Sequence, residues 1–395
     1  MVRRRALVRA GFQPELLTGG HEDGECTHAG NAEAHEAHRD NWPMNFIHDP
    51  LTPRVLFGAG RLQSLGEELK LLGIRRVLVI STPEQRELAN QVAALIPGSV
   101  AGFFDRATMH VPSQIVDQAA SVARELGVDS YVAPGGGSTI GLAKMLALHS
   151  SLPIVAIPTT YAGSEMTSIY GVTENELKKT GRDRRVLART VIYDPELTFG
   201  LPTGISVTSG LNAIAHAVEG LYAPEVNPIL AIMAQQGIAA LAKSIPTIRS
   251  APTDLEARSQ AQYGAWLCGS VLGNVSMALH HKLCHTLGGT FNLPHAETHT
   301  VVLPHALAYN TPAIPRANAW LQEALATREP AQALFDLAKS NGAPVSLQSI
   351  GMKEADLDRA CELVMSAQYP NPRPLEKHAI ANLLRRAYLG EPPQP

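Results

Sequence analysis

Residues Tyr131–Lys144 read Y-V-A-P-G-G-G-S-T-I-G-L-A-K, and the reading of this stretch decides the fold. A short apolar run ends in Gly135, Gly136, Gly137 and Ser138, and helical patterning follows from Thr139 to Leu148. That is a strand delivered through a glycine turn into a helix. Glycines let the backbone approach a pyrophosphate closely, and a helix N-terminus presents unpaired N–H groups with partial positive charge. Taken alone, G-G-G-S is equally an ordinary glycine turn. It also does not follow the first strand candidate, which separates it from the standard dinucleotide fingerprint.

Working outward, β-branched runs at Val77–Ser81, Val100–Phe104, Ser130–Ala133, Ile154–Pro158 and Thr190–Tyr193 alternate with amphipathic stretches. Ser113–Leu126 is the clearest of these, with Ile115, Val116, Ala119, Val122, Ala123 and Leu126 in one apolar stripe. Strands alternating with helices imply parallel pairing, hence a Rossmann-like α/β domain over residues 44–202. A second polar loop, Ile157–Glu165, carries Thr159, Thr160 and Ser164. In an open parallel sheet it should face the same crevice as the G-G-G-S turn, where its hydroxyls can meet phosphate or ribose, or simply cap a helix.

Beyond Leu201–Pro202 the periodicity is helical, with turns expected at Pro224, Pro246, Pro252, Gly288, Pro344 and Pro370. The expectation is an all-helical second domain, 203–395. Its first helix reads S-G-L-N-A-I-A-H-A-V-E-G and places Asn212, His216 and Glu219 on one face. Residues 280–305 hold six of the fifteen histidines. His281 and His285 are one helical turn apart; Gly288-Gly289 should end or bend that helix, and Pro294 should bring His295 back over the same face. Such a convergence with His216 suits a divalent metal, a proton relay or an anion pocket. His299 and His305 read as helix or packing residues.

Composition narrows the classes. The net charge is −3, with 17% charged and 45% hydrophobic residues, so a large basic nucleic-acid surface is not expected. No uninterrupted apolar run approaches the ~18 residues of a membrane span. The expectation is a soluble cytoplasmic enzyme with no nucleic-acid or membrane partner. Cys26, Cys268, Cys284 and Cys361 form no CxxC pair and read as reduced thiols. Residues 1–43 have a basic start but no signal-like apolar run, and carry His21, His28, His35 and His38 in polar surroundings. They read as a disordered extension, with a metal-scavenging tail as the alternative, and the fold is expected to begin at Met44.

Several motifs then recur in a fixed order: G-G-G-S, P-T-T-x-x-x-S-E at Pro158–Glu165, D-P-x-L at Asp194, H-A-x-E at His216, H-x-x-x-H-x-L-G at His281 and N-x-P-H at Asn292. Together they resemble the iron-containing (group III) alcohol dehydrogenase superfamily from about Phe46 onward. The resemblance implies a dehydroquinate synthase-like fold, an NAD(P)-binding α/β domain, and a helical domain that holds a divalent metal across the cleft. It implies cofactor contacts at Gly135, Gly136, Gly137, Ser138, Thr159, Thr160 and Ser164. The metal positions match Asn212, His216, His281 and His295, and His285 matches the histidine near the nicotinamide.

Three departures stand out. Asn212 replaces the family's Asp ligand, Gly141 replaces the Asp after G-G-G-S, and Thr82 stands where NAD-specific members carry a ribose-binding Asp. With T-G-R-D-R-R-V-L at Thr180–Leu187 and L-P-H-A-E-T-H-T at Leu293–Thr300, they resemble the maleylacetate reductase branch. That implies NADH or NADPH as cofactor, a small anionic substrate (maleylacetate, chlorinated forms included), no required metal, and a homodimer. His281 or His285 would donate the proton, while His216 and His295 hold the oxyanion or a carboxylate; Lys282 and Arg182 are weaker carboxylate candidates. A metal-dependent alcohol dehydrogenase and a non-catalytic cofactor- or metal-binding protein remain as alternatives.

Overall fold

Runs such as V-L-V-I and I-V-A-I-P are apolar at every position, as strands covered on both faces must be. In the computed structural model, which describes residues 45–174, 177–366 and 369–395, they form the middle of a parallel sheet. The disordered extension expected over 1–43 lies outside the described residues.

The strands are β1 (Arg54–Phe57), β2 (Val77–Ile80), β3 (Val100–Phe104), β4 (Ser130–Gly135), β5 (Ile154–Pro158) and β8 (Thr190–Tyr193), in the order β1-β8-β5-β4-β2-β3. A separate antiparallel hairpin pairs β6 (Ile169–Glu174) with β7 (Leu177–Arg182). Side chains alternate between faces. Leu78, Ile80, Tyr131 and Ala133 pack with α3 (Ser113–Glu125) and α4 (Gly137–Ser150) on one side. Val77, Val79, Val132 and Ile157 pack with α1 (Leu65–Leu71) and α2 (Arg86–Ala94) on the other.

The chain passes from β2 outward to β3, then returns to β4 on the opposite side of β2. The sheet's switch point therefore lies between β2 and β4, where parallel α/β sheets bind their ligands.

Past Pro202 every described element is helical. They are α5 (Thr203–Gly220), α6 (Pro228–Ser250), α7 (Leu255–Asn274), α8 (Leu279–Phe291), α9 (His295–Asn310), α10 (Pro315–Ala324), α11 (Pro330–Ser340), α12 (Leu357–Ser366) and α13 (Lys377–Leu389), with short 3-10 turns between. Helix α5 is buried continuously from Ser206 to Gly220, as a helix apolar all round must be. Helix α6 is long and apolar enough to cross a bilayer by composition, but here it packs against α5 and α7.

Two expected breaks are absent. Pro246 lies inside α6 on its exposed side, where losing one backbone donor is tolerated. Gly288 and Gly289 stay within α8, which ends instead at Asn292 in a left-handed cap (φ 54°). Asn is among the few non-glycine residues that accept this conformation.

Residues Asn45–Pro395 form one compact unit, because the sheet's loops are bolted to the helices. A Cβ on Gly269 of α7 would stand 2.6 Å from the Gly163 carbonyl oxygen, so backbone meets backbone there. Arg258, fully buried, donates to the Tyr161 hydroxyl (2.9 Å), Ser206 Oγ (2.9 Å) and the Leu201 and Pro252 carbonyls. One guanidinium thus joins the loop after β5, the linker and α5.

Candidate active site

The two polar loops lie against each other. Thr159 N–H donates to the Gly135 carbonyl (3.1 Å), and a Cβ on Gly136 would stand 2.7 Å from Thr160 Cγ2. Gly135 has φ +154°, and a side chain there would strike Gln85 and Thr139 at 2.5 Å, so only glycine fits. Gly137 is open on its outer side and starts α4, two residues earlier than the sequence suggested. With Ser138 it leaves first-turn N–H groups without helical partners.

Thr159 is buried and its hydroxyl accepts from Gln85 Nε2 (3.0 Å), which ties the loop after β2 to the loop after β5. Ser164 opens a 3-10 turn rather than capping a helix, and its carbonyl is held by Lys144 Nζ at 2.6 Å. Gly141 faces Val111, whose side chain would lie 3.0 Å from an added Cβ.

Three helices supply the histidines. His216 comes from α5, His280, His281 and His285 from α8, and His295 and His299 from α9. Ring centroids are 5.1 Å apart for His216–His281, 5.0 Å for His281–His299 and 4.4 Å for His295–His299. Of the predicted residues, His216 and His281 are buried, His295 is half-buried and His285 is exposed, its ring 6.1 Å from His281. Asn212 is buried one turn before His216, and its Oδ1 has no hydrogen-bond partner.

Two residues prove more central than the sequence suggested. Read there as a packing residue, His299 instead stands at the middle of the cluster, fully buried. Its i, i+4 spacing from His295 was the available signal. Glu219, noted only as sharing a face, accepts from His281 Nδ1 (2.7 Å) and from the backbone N–H groups of His280 (2.7 Å) and Ala278 (2.9 Å). One carboxylate therefore caps the start of α8 and fixes the His281 ring. With Nδ1–H donated to Glu219, a neutral His281 presents a lone pair at Nε2.

Burial pushes His216, His280 and His299 well below the usual imidazole range, and the neighbouring histidines push the same way. Both effects disfavour the charged form of these three rings. His305 packs near Phe335 as expected, and burial pushes it down to about 4 with Arg386 adding to the effect. Below its ordinary 6.5 the unfolded chain takes up a proton that the folded His305 refuses. This contribution is complete above pH 6.5 and is lost as pH falls toward about 4. The thermal midpoint should drop across that window, and less steeply in His305→Gln; equal slopes would remove His305 from the account.

Arg182 is not a solvated charge. Its guanidinium donates to the Gly273 (2.9 Å), Leu272 (3.4 Å) and Val275 (2.6 Å) carbonyls, closing the C-terminal end of α7. It lines a cavity of about 490 Å³ with Arg184, Glu225 and Ser276, apart from the histidines. Lys282 is half-buried beside His281.

Residues 52–195 match the family described as iron-containing alcohol dehydrogenase, and residues 206–388 match the C-terminal part of the Fe-containing alcohol dehydrogenase family. The chain belongs to the iron-containing alcohol dehydrogenase family. It is accordingly an oxidoreductase. It is 60% identical to a maleylacetate reductase of Pseudomonas knackmussii over 89% of this chain and 99% of that protein. It is 55% identical to maleylacetate reductase 1 of Cupriavidus pinatubonensis, over 88% and 98%. A crystal structure of maleylacetate reductase from Agrobacterium tumefaciens superposes with a TM-score of 0.86 at 48% identity, over 88% and 99% of the two chains.

An iron-family protein raises the question of a metal, and the donors fit one. One ring nitrogen each from His216, His281 and His299 lies within 4.8 Å of the others. His216 Nδ1, His281 Nε2, His299 Nε2 and Asn212 Oδ1 are all buried without a partner. Such a neutral set suits Zn(II) or Fe(II) more weakly than one containing a carboxylate.

Proposed function

We propose that the chain is a maleylacetate reductase, which uses NADH or NADPH to convert 2-maleylacetate to 3-oxoadipate in the degradation of aromatic compounds. The observation that carries this reading is the family's site with Asn212 in place of its acidic ligand, in a chain 60% identical to a protein of that name. Removing a carboxylate from a pocket of imidazoles favours a dianionic substrate.

In this reading Gly135, Gly136, Gly137 and Ser138 hold the cofactor pyrophosphate at the α4 N-terminus, and Thr159, Thr160 and Ser164 border the same crevice. The reactive carbons then lie toward the histidines. Hydride adds to the carbon β to the ketone, the double-bond electron pair moves toward the ketone oxygen, and the adjacent carbon takes a proton. His285 is the better placed donor, because it is exposed and recovers its proton from solvent. His281 is committed at Nδ1 to Glu219 and is buried away from solvent. His216, His295 and His299 place imidazoles around the oxyanion, which neutral N–H groups stabilise without a charge of their own. A cation held by His216, His281 and His299 would polarise the same ketone oxygen.

The proposal includes turnover that needs no metal, a two-domain division at residue 202, and a cytoplasmic homodimer. Purified protein should oxidise NADH or NADPH with maleylacetate at a rate unchanged by a strong chelator. No turnover with maleylacetate, together with alcohol oxidation abolished by chelator and restored by Fe(II) or Zn(II), would select the metal-dependent alcohol dehydrogenase instead.

A further inference from the structure

We infer that Asn371 is a positioning residue: its amide registers the start of α8 against the end of α9, and so sets how the histidines of the two helices meet. The inference rests on the reading that these histidines carry the reduction. Asn310, the last residue of α9, is fully buried. It forms a reciprocal pair with Asn371: Asn310 Nδ2 donates to Asn371 Oδ1 (3.0 Å), and Asn371 Nδ2 donates to Asn310 Oδ1 (2.8 Å). Asn371 Oδ1 also accepts from the N–H of Leu279, the first residue of α8 (3.3 Å), and its Nδ2 donates to the Arg373 carbonyl (2.7 Å). Two acceptor positions and two donors of one amide are thus all used.

Helix α8 needs such a partner from outside. Its N-cap position, Ala278, offers no side-chain bond, and its first N–H groups go instead to Glu219 of α5 and to Asn371. Packing is thin there, because a cavity of about 260 Å³ lined by Met277, Ala278, Pro370, Asn371 and Pro372 lies beside the helix start. Hydrogen bonds therefore fix it. The loop that carries Asn371 is stiff by sequence: it reads P-N-P-R-P from Pro370 to Pro374, and each proline fixes its own φ and pushes the residue before it into extended backbone. Arg373 clamps the loop further. Its Nη1 donates to the Tyr309 carbonyl (2.9 Å), its guanidinium lies 4.3 Å over the Tyr309 ring, and the Tyr309 hydroxyl donates to the Pro374 carbonyl (2.6 Å). Helix α9 thus grips the loop at Tyr309 and Asn310, and the loop grips α8. Glu219 ties the same turn to α5, so removing the Asn371 amide loosens α8 on the side that faces α9. His281, in that first turn, moves first.

The test compares Asn371→Ala, Asn371→Asp, Asn310→Ala and the double alanine variant in full-length protein, with folding checked by circular dichroism. Asn371→Asp keeps the shape and the acceptor for Leu279, but it loses both donors and sets a carboxylate oxygen against two carbonyl oxygens. Hydrogen exchange read by mass spectrometry, which needs no substrate, should be faster in peptides covering the first turn of α8 and unchanged in those of the parallel sheet. With maleylacetate, kcat per NADH-binding site should fall by about 10- to 100-fold, the scale on which a remote change misplaces a reacting group. KM for NADH should stay within about 2-fold of the parent, because no cofactor loop is touched. The double variant should lose no more than the worse single, as two halves of one pair do. Parent-like exchange at α8 in the Asn371 variants overturns the inference, and so does parent-like kcat in both. A parent that does not turn over maleylacetate sinks the substrate reading instead, and the exchange result then decides the inference. If Asn371→Ala does not fold, Asn371→Asp and Asn310→Ala give the same readings.

Discussion

Glu219→Gln is expected to lower kcat/KM by about 100-fold, at the upper end of what loss of an outer histidine partner brings. The carboxylate is fully buried, and both its oxygens only accept: one from the His280 N–H at 2.7 Å, the other from the Ala278 N–H at 2.9 Å and His281 Nδ1 at 2.7 Å. An amide of the same shape has one accepting end. Turned one way, its NH₂ group faces the His280 N–H; turned the other way, it faces the Ala278 N–H and His281 Nδ1–H together. Turned toward the ring, it drives His281 into the opposite tautomer and closes the lone pair at Nε2. Turned toward the helix, it leaves buried donors unpaired at a cost of about 1–3 kcal/mol. Glu219→Asp keeps the charge but shortens the reach, and should fall between the two. Steady-state kinetics with a denaturation curve for each variant separates the outcomes; parent-like kcat/KM in Glu219→Gln would falsify the role given to this carboxylate.

The middle of the sheet was legible because its strands are buried on both faces, and so are written as unbroken V-L-V-I and I-V-A-I-P runs. The edge was not. Strand β1 is four residues, R-V-L-F, with Arg54 turned outward to Glu68, too short to show a period. The β6–β7 hairpin stands off the main sheet, and β7 reads L-K-K-T-G-R, a polar stretch that only its backbone pairing makes a strand. Glycine and proline misled in the helices for one reason: each costs a local amount that burial outweighs. Helix α8 is fixed at its start by Glu219 and along its length by Leu283 and Leu287, so two glycines near its end do not stop it.

In the site, spacing along one helix showed that His281 and His285 are neighbours, and likewise Asn212, His216 and Glu219. Which rings meet across helices is set by how α5, α8 and α9 pack, and the sequence carries no pattern for that. His299 and His280 were missed on this account. Both are wholly buried, and a buried histidine is visible only after the helices are assembled.

Lys144→Met is expected to cost about 3–5 kcal/mol of stability, the scale for removing one partner from a buried charged network, and to raise KM for the nicotinamide cofactor far more than it lowers kcat. Lys144 is fully buried on α4, less than two turns beyond the G-G-G-S turn. Its ammonium donates to the carbonyls of Ser164 (2.6 Å), Thr167 (2.9 Å) and Ile169 (2.8 Å) and to Thr167 Oγ1 (3.0 Å). Burial pushes its pKa down to about 7, with Glu165 opposing; Glu165 itself is buried and accepts from the Tyr193 hydroxyl at 2.6 Å. The amine therefore binds the loop after β5 to the helix that begins at the G-G-G-S turn, and so fixes the distance between the two proposed cofactor loops. Methionine fills the space but offers no donor, leaving the carbonyls unpaired and the Ser164 loop free to move from the crevice. Chemistry at the histidines has no reason to change once cofactor is bound, so the loss should fall on KM. Chemical denaturation and NADH titration read the two effects separately: a KM equal to the parent's would show that Lys144 does not hold the cofactor crevice, and a parent-like midpoint would show that it does not hold the fold.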